Sequence, residues 1–275
     1  MAGVREPAVA GRFYASQAEA LQEQLRACYD HQIGPGTRPS PPAGTPAVAG
    51  LLTPHAGLPF SGPVAAHAYA ALGTGGTPET VVVIGPNHTG IGANIAIPGH
   101  DAWQTPLGTV PIDGTVREQL VETTDATVDD RAHAREHATE VQLPFLQELY
   151  DSVSVLPISL RQQDEATARE LGSAIAETLT ERTVLIASSD FTHYEPHDVA
   201  MARDELALDP IREHDPDALI ETVEREALSV CGYGAIATLL YALEGSVDVL
   251  AHASSGETAG SMAEVVGYGA VAIES

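Results

Sequence analysis

Three segments of the sequence end an aliphatic run in side chains that can hold a metal ion or move a proton. Ala47-Val-Ala-Gly-Leu-Leu52 leads into Thr53-Pro-His-Ala-Gly57. Thr80–Ile84 leads into Gly85-Pro-Asn-His88, and Thr183–Ala187 into Ser188-Ser-Asp-Phe-Thr-His193. The second run reads as an interior strand stopped by Gly85 and Pro86. Open α/β sheets carry their chemistry just beyond the carboxyl ends of strands. If the three strands lie side by side and parallel, His55, His88, Asp190 and His193 meet at one sheet edge. Neutral imidazole is a common metal ligand, so His55 and His88 are candidates to share one ion. Asp190, a cysteine or a glutamate could be the third ligand.

Two further stretches carry chemistry-bearing residues. Cys231 lies in Leu228-Ser-Val-Cys-Gly-Tyr-Gly234, before an Ala/Leu-rich stretch that reads as a helix. A helix N-terminus stabilises a thiolate, which suits a ligand or a nucleophile. A small buried apolar residue is the competing reading. Cys28, inside an ordinary helix, reads as core. His133-Ala-Arg-Glu-His137 has the H-x-x-E-H order of inverted zinc peptidases, but it is short and sits among other charges. The same stretch can be read through His137 and Glu140, helical neighbours three apart that could orient a substrate or act as acid and base.

Strands and helices must alternate to position these groups. We expect helices from Ser16 to about His31, with Ser16 and Glu19 as a capping box, and over Pro63–Leu72, Asp113–Thr123, Thr139–Tyr150 and Asp164 to about Thr180. Further helices are expected near Asp198–Leu208, Asp217–Glu226 and Gly234–Leu243. Strands are expected over Val153–Leu160, Ser246–Ala253 and Glu264–Ile273. A hairpin insert is expected within Asn94–Ile112, and loops over Gly34–Pro46 and Ser254–Gly260. This order predicts one α/β domain over residues 1–275, with a mostly parallel or mixed central sheet and helices on both faces.

Composition narrows the partners. The 275 residues carry a formal net charge of −25, and all 13 basic residues are arginine. Such a chain repels nucleic acid and anionic membranes. The scattered carboxylates and the absence of lysine suggest a protein adapted to a salty, halophilic cytoplasm, where charge repulsion is screened. No apolar run is long enough to span a membrane, and two cysteines make no disulfide framework, so we expect a soluble cytoplasmic protein. There is no G-x-x-x-x-G-K-[ST] phosphate loop and no G-x-S-x-G elbow.

Motifs in order along nearly the whole chain resemble the Memo family. They are Pro7-Ala-Val-Ala-Gly-Arg-Phe-Tyr14, Pro54-His-Ala-Gly57 with Ser61-Gly62, Gly85-Pro-Asn-His88 and Trp103-Gln-Thr-Pro-Leu-Gly108. Glu136-His-Ala-Thr-Glu140 with Leu143-Pro-Phe145, Ser188-Ser-Asp-Phe-Thr-His193 and Val230-Cys-Gly232 complete the set. The resemblance implies a fold like that of class III extradiol dioxygenases, whose iron is held by two histidines and a glutamate. It assigns the metal to His55, His88 and Cys231, with cysteine where the dioxygenases have glutamate. Asp190, His193, His137 and Glu140 match the remaining polar pocket positions. The thiolate shifts preference toward copper or zinc, while the likeness to iron enzymes retains iron. We therefore expect a divalent or redox-active metal ion, iron or copper in preference to zinc.

The resulting expectation is a metal-dependent redox enzyme on an unknown small substrate, and the departure from the dioxygenase ligand set speaks against ring cleavage. The alternative is a non-catalytic module binding a metal, a protein or a peptide on an enzyme-like scaffold. The resemblance also associates the family with phosphotyrosine peptides in animals, a partner for which this acidic chain has few basic groups. It further suggests a genomic link to a radical-SAM protein.

Overall fold

The computed structural model describes residues 3–274; residues 1, 2 and 275 of the expected single domain lie outside them. The described strands begin with β1 (Val4–Arg5), β2 (Val48–Thr53), β3 (Thr80–Pro86), β4 (Ile95–Ile97), β5 (Ala102–Thr105) and β6 (Gly108–Pro111). They continue with β7 (Thr127–Val128), β8 (Ser154–Leu160), β9 (Thr183–Ser188), β10 (His193–Glu195), β11 (Val247–Ser254) and β12 (Val265–Glu274). The helices are α1 (Ala18–Asp30), α2 (Leu58–Leu72), α3 (Gly114–Thr123), α4 (Asp130–His133) and α5 (Leu143–Leu149). After them come α6 (Glu165–Thr178), α7 (His197–Arg212), α8 (Pro216–Arg225), α9 (Tyr233–Ala242) and α10 (Ser255–Ala259).

One mixed sheet runs in the order β10-β12-β2-β9-β3-β8-β4-β7, with β11 on the free side of β12. Its centre is the parallel set β2-β9-β3-β8. Around it, β12 runs antiparallel to β2, and β4 antiparallel to β8. The predicted hairpin is β5-β6, which pairs with β1 in a separate three-stranded sheet.

Alternation along the central strands builds a core on each face. Val81 and Val83 of β3, with Val184 and Ile186 of β9, join the core containing Leu21, Tyr69 and Phe145 from α1, α2 and α5. Val82 and Ile84, with Leu185 and Ala187, join the opposite core containing Leu120, Leu171, Ile175 and Leu239 from α3, α6 and α9. Both faces of these strands are covered, which is why the runs are continuously aliphatic. Each such Val, Leu or Ile contributes roughly 1.5–3 kcal/mol by its burial.

Several local expectations shift for identifiable reasons. The helix near Pro63 begins earlier, at Leu58, with Pro59 in its first turn. Ser16 does not cap α1: Gln17 occupies the cap position without a side-chain bond, and Gln24 instead accepts from the Ala15 N–H. The segment Ser254–Gly260, expected as a loop, contains α10, capped reciprocally by Ser254 and Glu257. Asp113 and Asp164 cap α3 and α6 by accepting backbone N–H bonds. Among the described residues, no helix is long and apolar enough to cross a membrane.

Candidate metal centre

Three adjacent parallel strands, β2, β9 and β3, release their chains at the same sheet edge. His55 follows β2, Asp190 follows β9 and His88 follows β3, so the strand-end groups converge. The fourth segment arrives from the far end of the chain. Cys231 sits directly before Gly232, the N-cap of α9. A Cβ on Gly232 would lie 2.6 Å from the Ser188 carbonyl oxygen and 2.8 Å from Ser189 Cβ, so only glycine lets this turn settle on the end of β9.

His55, His88 and Cys231 each offer one ligand atom, all within 4.8 Å of one another. Cys231 Sγ lies 3.3 Å from His55 Nε2. Two donors sharing an ion, with bonds of about 2.0–2.3 Å, stand roughly 3–4 Å apart. The group therefore fits a metal ion of the kind that imidazole and thiolate prefer.

Hydrogen bonds set both imidazoles to offer Nε2. The Ser188 hydroxyl donates to the Ala138 carbonyl at 2.7 Å, so its oxygen can only accept from other partners. It accepts from Gln142 Nε2 at 2.8 Å and lies 2.9 Å from His55 Nδ1. His55 must carry its proton on Nδ1, and its Nε2 lone pair faces Cys231. Gln142 is itself held by donating to the Pro54 carbonyl and accepting from the Tyr69 hydroxyl. For His88, Nδ1 lies 2.9 Å from Glu136 Oε1. Glu136 also accepts from the backbone N–H groups of His88, His137 and Ala138. Burial alone would raise this carboxyl, but the bonds and charge from His88, with His137 and the Ala138 N–H, bring it down to about 2. An ionised Glu136 can only accept, so His88 also carries its proton on Nδ1 and keeps Nε2 for coordination.

Burial keeps two of the centre's imidazoles, His55 and His137, neutral. Burial drives His55 well below its ordinary value, with the neighbouring His88 adding to the shift. His137, lowered to about 4 by burial and by His55, stacks on His88 at 4.5 Å between ring centroids and packs against Phe13 at 4.5 Å. His88, Glu136 and His137 form a second group of ligand atoms within 4.8 Å, sharing His88 with the first. His193 Nδ1 faces the carbonyl oxygens of Phe191 and Ser229, at 2.7 and 3.0 Å, so it is a donor there. With Nδ1–H so engaged, Nε2 is the ring nitrogen left to exchange a proton with a substrate.

Asp190 is buried. Its Oδ1 accepts from the N–H groups of His55 and Ala56 at 2.8 and 3.3 Å, which ties the β2 loop to the β9 loop. Burial raises its carboxyl pKa, against the pull of those bonds. The Asp190 N–H donates to Cys231 Sγ at 3.2 Å. The expected lowering of the Cys231 thiol does not occur: burial and the Asp190 charge push it up. Deprotonation must then come with the binding of a cation.

Glu140 lies elsewhere. Its oxygens accept from Arg5 Nη1 at 2.6 Å, the Tyr14 hydroxyl at 2.6 Å, and the N–H groups of Ala8 and Val9. It fastens the N-terminal segment, and it shares no regular helix face with His137 because the chain there is a single 3-10 turn over Glu140–Gln142. His133 belongs to neither metal group. It is buried at the end of α4 against Trp103, with Nε2 bonded to the Ala96 carbonyl at 3.1 Å. The H-x-x-E-H stretch thus forms no continuous helix, and its first histidine faces the β1-β5-β6 sheet.

Glu136, Ser188 and Gln142 are the site residues that sequence reading passed over. Glu136 stood in the peptidase pattern and in the Glu136-His-Ala-Thr-Glu140 motif without a role of its own. Gln142 is a lone amide in the apolar stretch Val141–Phe145, a signal that a buried polar partner awaits it.

The family model described as Memo-like protein matches residues 5–272. The chain belongs to the Memo family. A MEMO1 family protein from Methanopyrus kandleri is 46% identical over 276 residues, covering 97% of this chain and 98% of the relative. Another from Thermotoga maritima is 43% identical over 269 residues, covering 96% and 97%. The crystal structure of an uncharacterised protein from Escherichia coli K12 superposes with a TM-score of 0.59 at 16% identity, over 84% of this chain and all of that one. At that identity the likeness shows a shared fold and nothing of function.

Proposed function

We propose that this Memo protein is a metal-dependent enzyme that carries out redox or oxygen-transfer chemistry on a small organic substrate at the His55/His88/Cys231 centre. One observation carries the reading: hydrogen bonds hold the Nδ1 protons of both histidines, so two Nε2 lone pairs and a sulfur converge on one point. Iron or copper bound there would supply one-electron chemistry, and the thiolate would tune its potential. His193 Nε2 takes the proton from a substrate hydroxyl, and its Nδ1–H stays on the Phe191 and Ser229 carbonyls. Asp190 holds the His55 backbone in place.

Anaerobic purification, metal quantification and a screen of small hydroxylated aromatic substrates for oxygen uptake test this. One bound ion per chain, with turnover that falls at least a hundredfold in His193→Gln, supports it. Absence of both metal and turnover contradicts it. A second reading, a metal-binding module without turnover, draws on the packing of the imidazoles of His55, His88 and His137, whose centroids lie 4.5–5.4 Å apart and fill much of the centre. Bound metal with no turnover across the screen would favour it.

A further inference from the structure

We infer that Asp204 is a positioning residue for His193, acting on it through a single peptide bond. This role rests on the reading of His193 as the base and adds the group that holds it ready. The peptide in question joins Phe191 to Thr192. On one side its N–H, that of Thr192, donates to Asp204 Oδ1 at 2.8 Å. On the other side its carbonyl, that of Phe191, faces His193 Nδ1 at 2.7 Å. In a trans peptide the N–H and C=O point in opposite directions, and no described peptide is cis. The carboxylate, the peptide and the imidazole therefore stand in one chain of hydrogen bonds. Hydrogen bonds in such a chain polarise one another, most strongly away from water. A carboxylate on the Thr192 N–H makes the Phe191 carbonyl a better acceptor, and that carbonyl keeps the His193 proton on Nδ1.

The surroundings fix that chain in place. Asp204 and Thr192 are both buried. Strand β12 brackets the peptide: the Phe191 N–H donates to the Gly267 carbonyl at 2.9 Å, and the Gly267 N–H to the Thr192 carbonyl at 2.8 Å. A Cβ on Gly267 would overlap Asp204 Oδ2, so glycine lets α7 press its carboxylate against this loop. A buried carboxylate needs partners for both oxygens. Asp204 Oδ2 has His252 Nε2 at 3.1 Å, from β11. His252 Nδ1 in turn faces Glu205 Oε1 at 3.1 Å, and Glu205 Oε2 pairs with Arg212 at 2.7 Å. Asp204 belongs to neither metal group, and it reaches the centre through the loop that carries His193.

Imidazole NMR of the zinc-loaded full chain, with isotope-labelled histidine and at a pH where the ring is neutral, compares the unmodified protein with Asp204→Asn. Asparagine keeps the bonds: its oxygen accepts from the Thr192 N–H and its amide donates to His252, so the charge alone is lost. The expected result is a His193 protonated on Nδ1, with a downfield Nδ1–H resonance that moves upfield in the variant. With a substrate found in the oxygen-uptake screen, kcat should fall at least about tenfold, part of the hundredfold or more that a positioned base supplies, while KM changes less than about twofold. An unmoved Nδ1–H resonance in folded Asp204→Asn, or an unchanged kcat, overturns the inference. Couplings across the hydrogen bonds, from Thr192 nitrogen to the Asp204 carboxyl carbon and from His193 Nδ1 to the Phe191 carbonyl carbon, need no variant. Absence of either in the unmodified protein, or a His193 protonated on Nε2 instead, overturns the inference even if the variant does not fold. A chain without turnover on any substrate contradicts the enzyme reading alone, and the Nδ1–H resonance still decides whether Asp204 acts on His193. A chain that takes up no zinc counts against the metal centre, and the same resonances are then read metal-free.

Discussion

Glu136 Oε1 lies 2.9 Å from His88 Nδ1 and 3.3 Å from His137 Nδ1, so one buried carboxylate orients two imidazoles at once. Glu136→Gln places a donor-bearing amide where only an acceptor fits. The amide loses the charge that fixes the His88 proton on Nδ1. Metal affinity should fall about 10–100-fold, the range found when such supporting carboxylates are changed. Competition against a chelator of known affinity, on folded protein, measures it. Affinity equal to that of the unmodified protein would show that the pair does not set the histidine.

Buried His133 makes stability depend on pH. Burial and the nearby Arg5 charge lower it to about 4, against about 6.5 in an unfolded chain. Between these values the unfolded state binds a proton that the folded state refuses, so stability is lost as pH falls from about 6.5 to about 4. The loss from this one group is on the order of 3 kcal/mol. Denaturant unfolding at a series of pH values should show that slope, and His133→Gln should reduce it. A slope that is the same in both proteins would contradict the assignment.

Glu140 and Arg5 form a buried ion pair at 2.6 Å, with the guanidinium also 4.0 Å from the centroid of the Trp103 ring. Removing one partner leaves the other charge buried and unpaired, which costs about 3–5 kcal/mol. Glu140→Ala should therefore lower unfolding stability by that amount, while the folded fraction still binds metal with one ion per chain. A stable variant that has lost its metal would instead place Glu140 in the centre.

The site was legible in the sequence to the extent that it depends on strand ends. The aliphatic runs before His55, His88 and Asp190 announce interior strands, and burial of both their faces follows from that composition. Their convergence depends on strand order, which needs β9 between β2 and β3; the sequence alone left that conditional. Cys231 shows the limit more sharply. Its place before a helix suggested a lowered thiol pKa, but burial and Asp190, remote in sequence, reverse the direction. Glu140 was misleading for a related reason. Three residues from His137 implied a shared helix face, but the 3-10 turn directs its carboxylate to a segment more than 120 residues away in the chain. The tautomer of His55 was invisible because it depends on Ser188, Ala138 and Gln142, which only the fold assembles.

Anomalous diffraction from a crystal soaked in zinc, copper or iron tests the centre most directly. A single anomalous peak bonded to Nε2 of His55, Nε2 of His88 and Sγ of Cys231, at about 2.0–2.3 Å from each, is the predicted result. A peak bonded to other residues, or none at this sheet edge despite full soaking, would contradict the account.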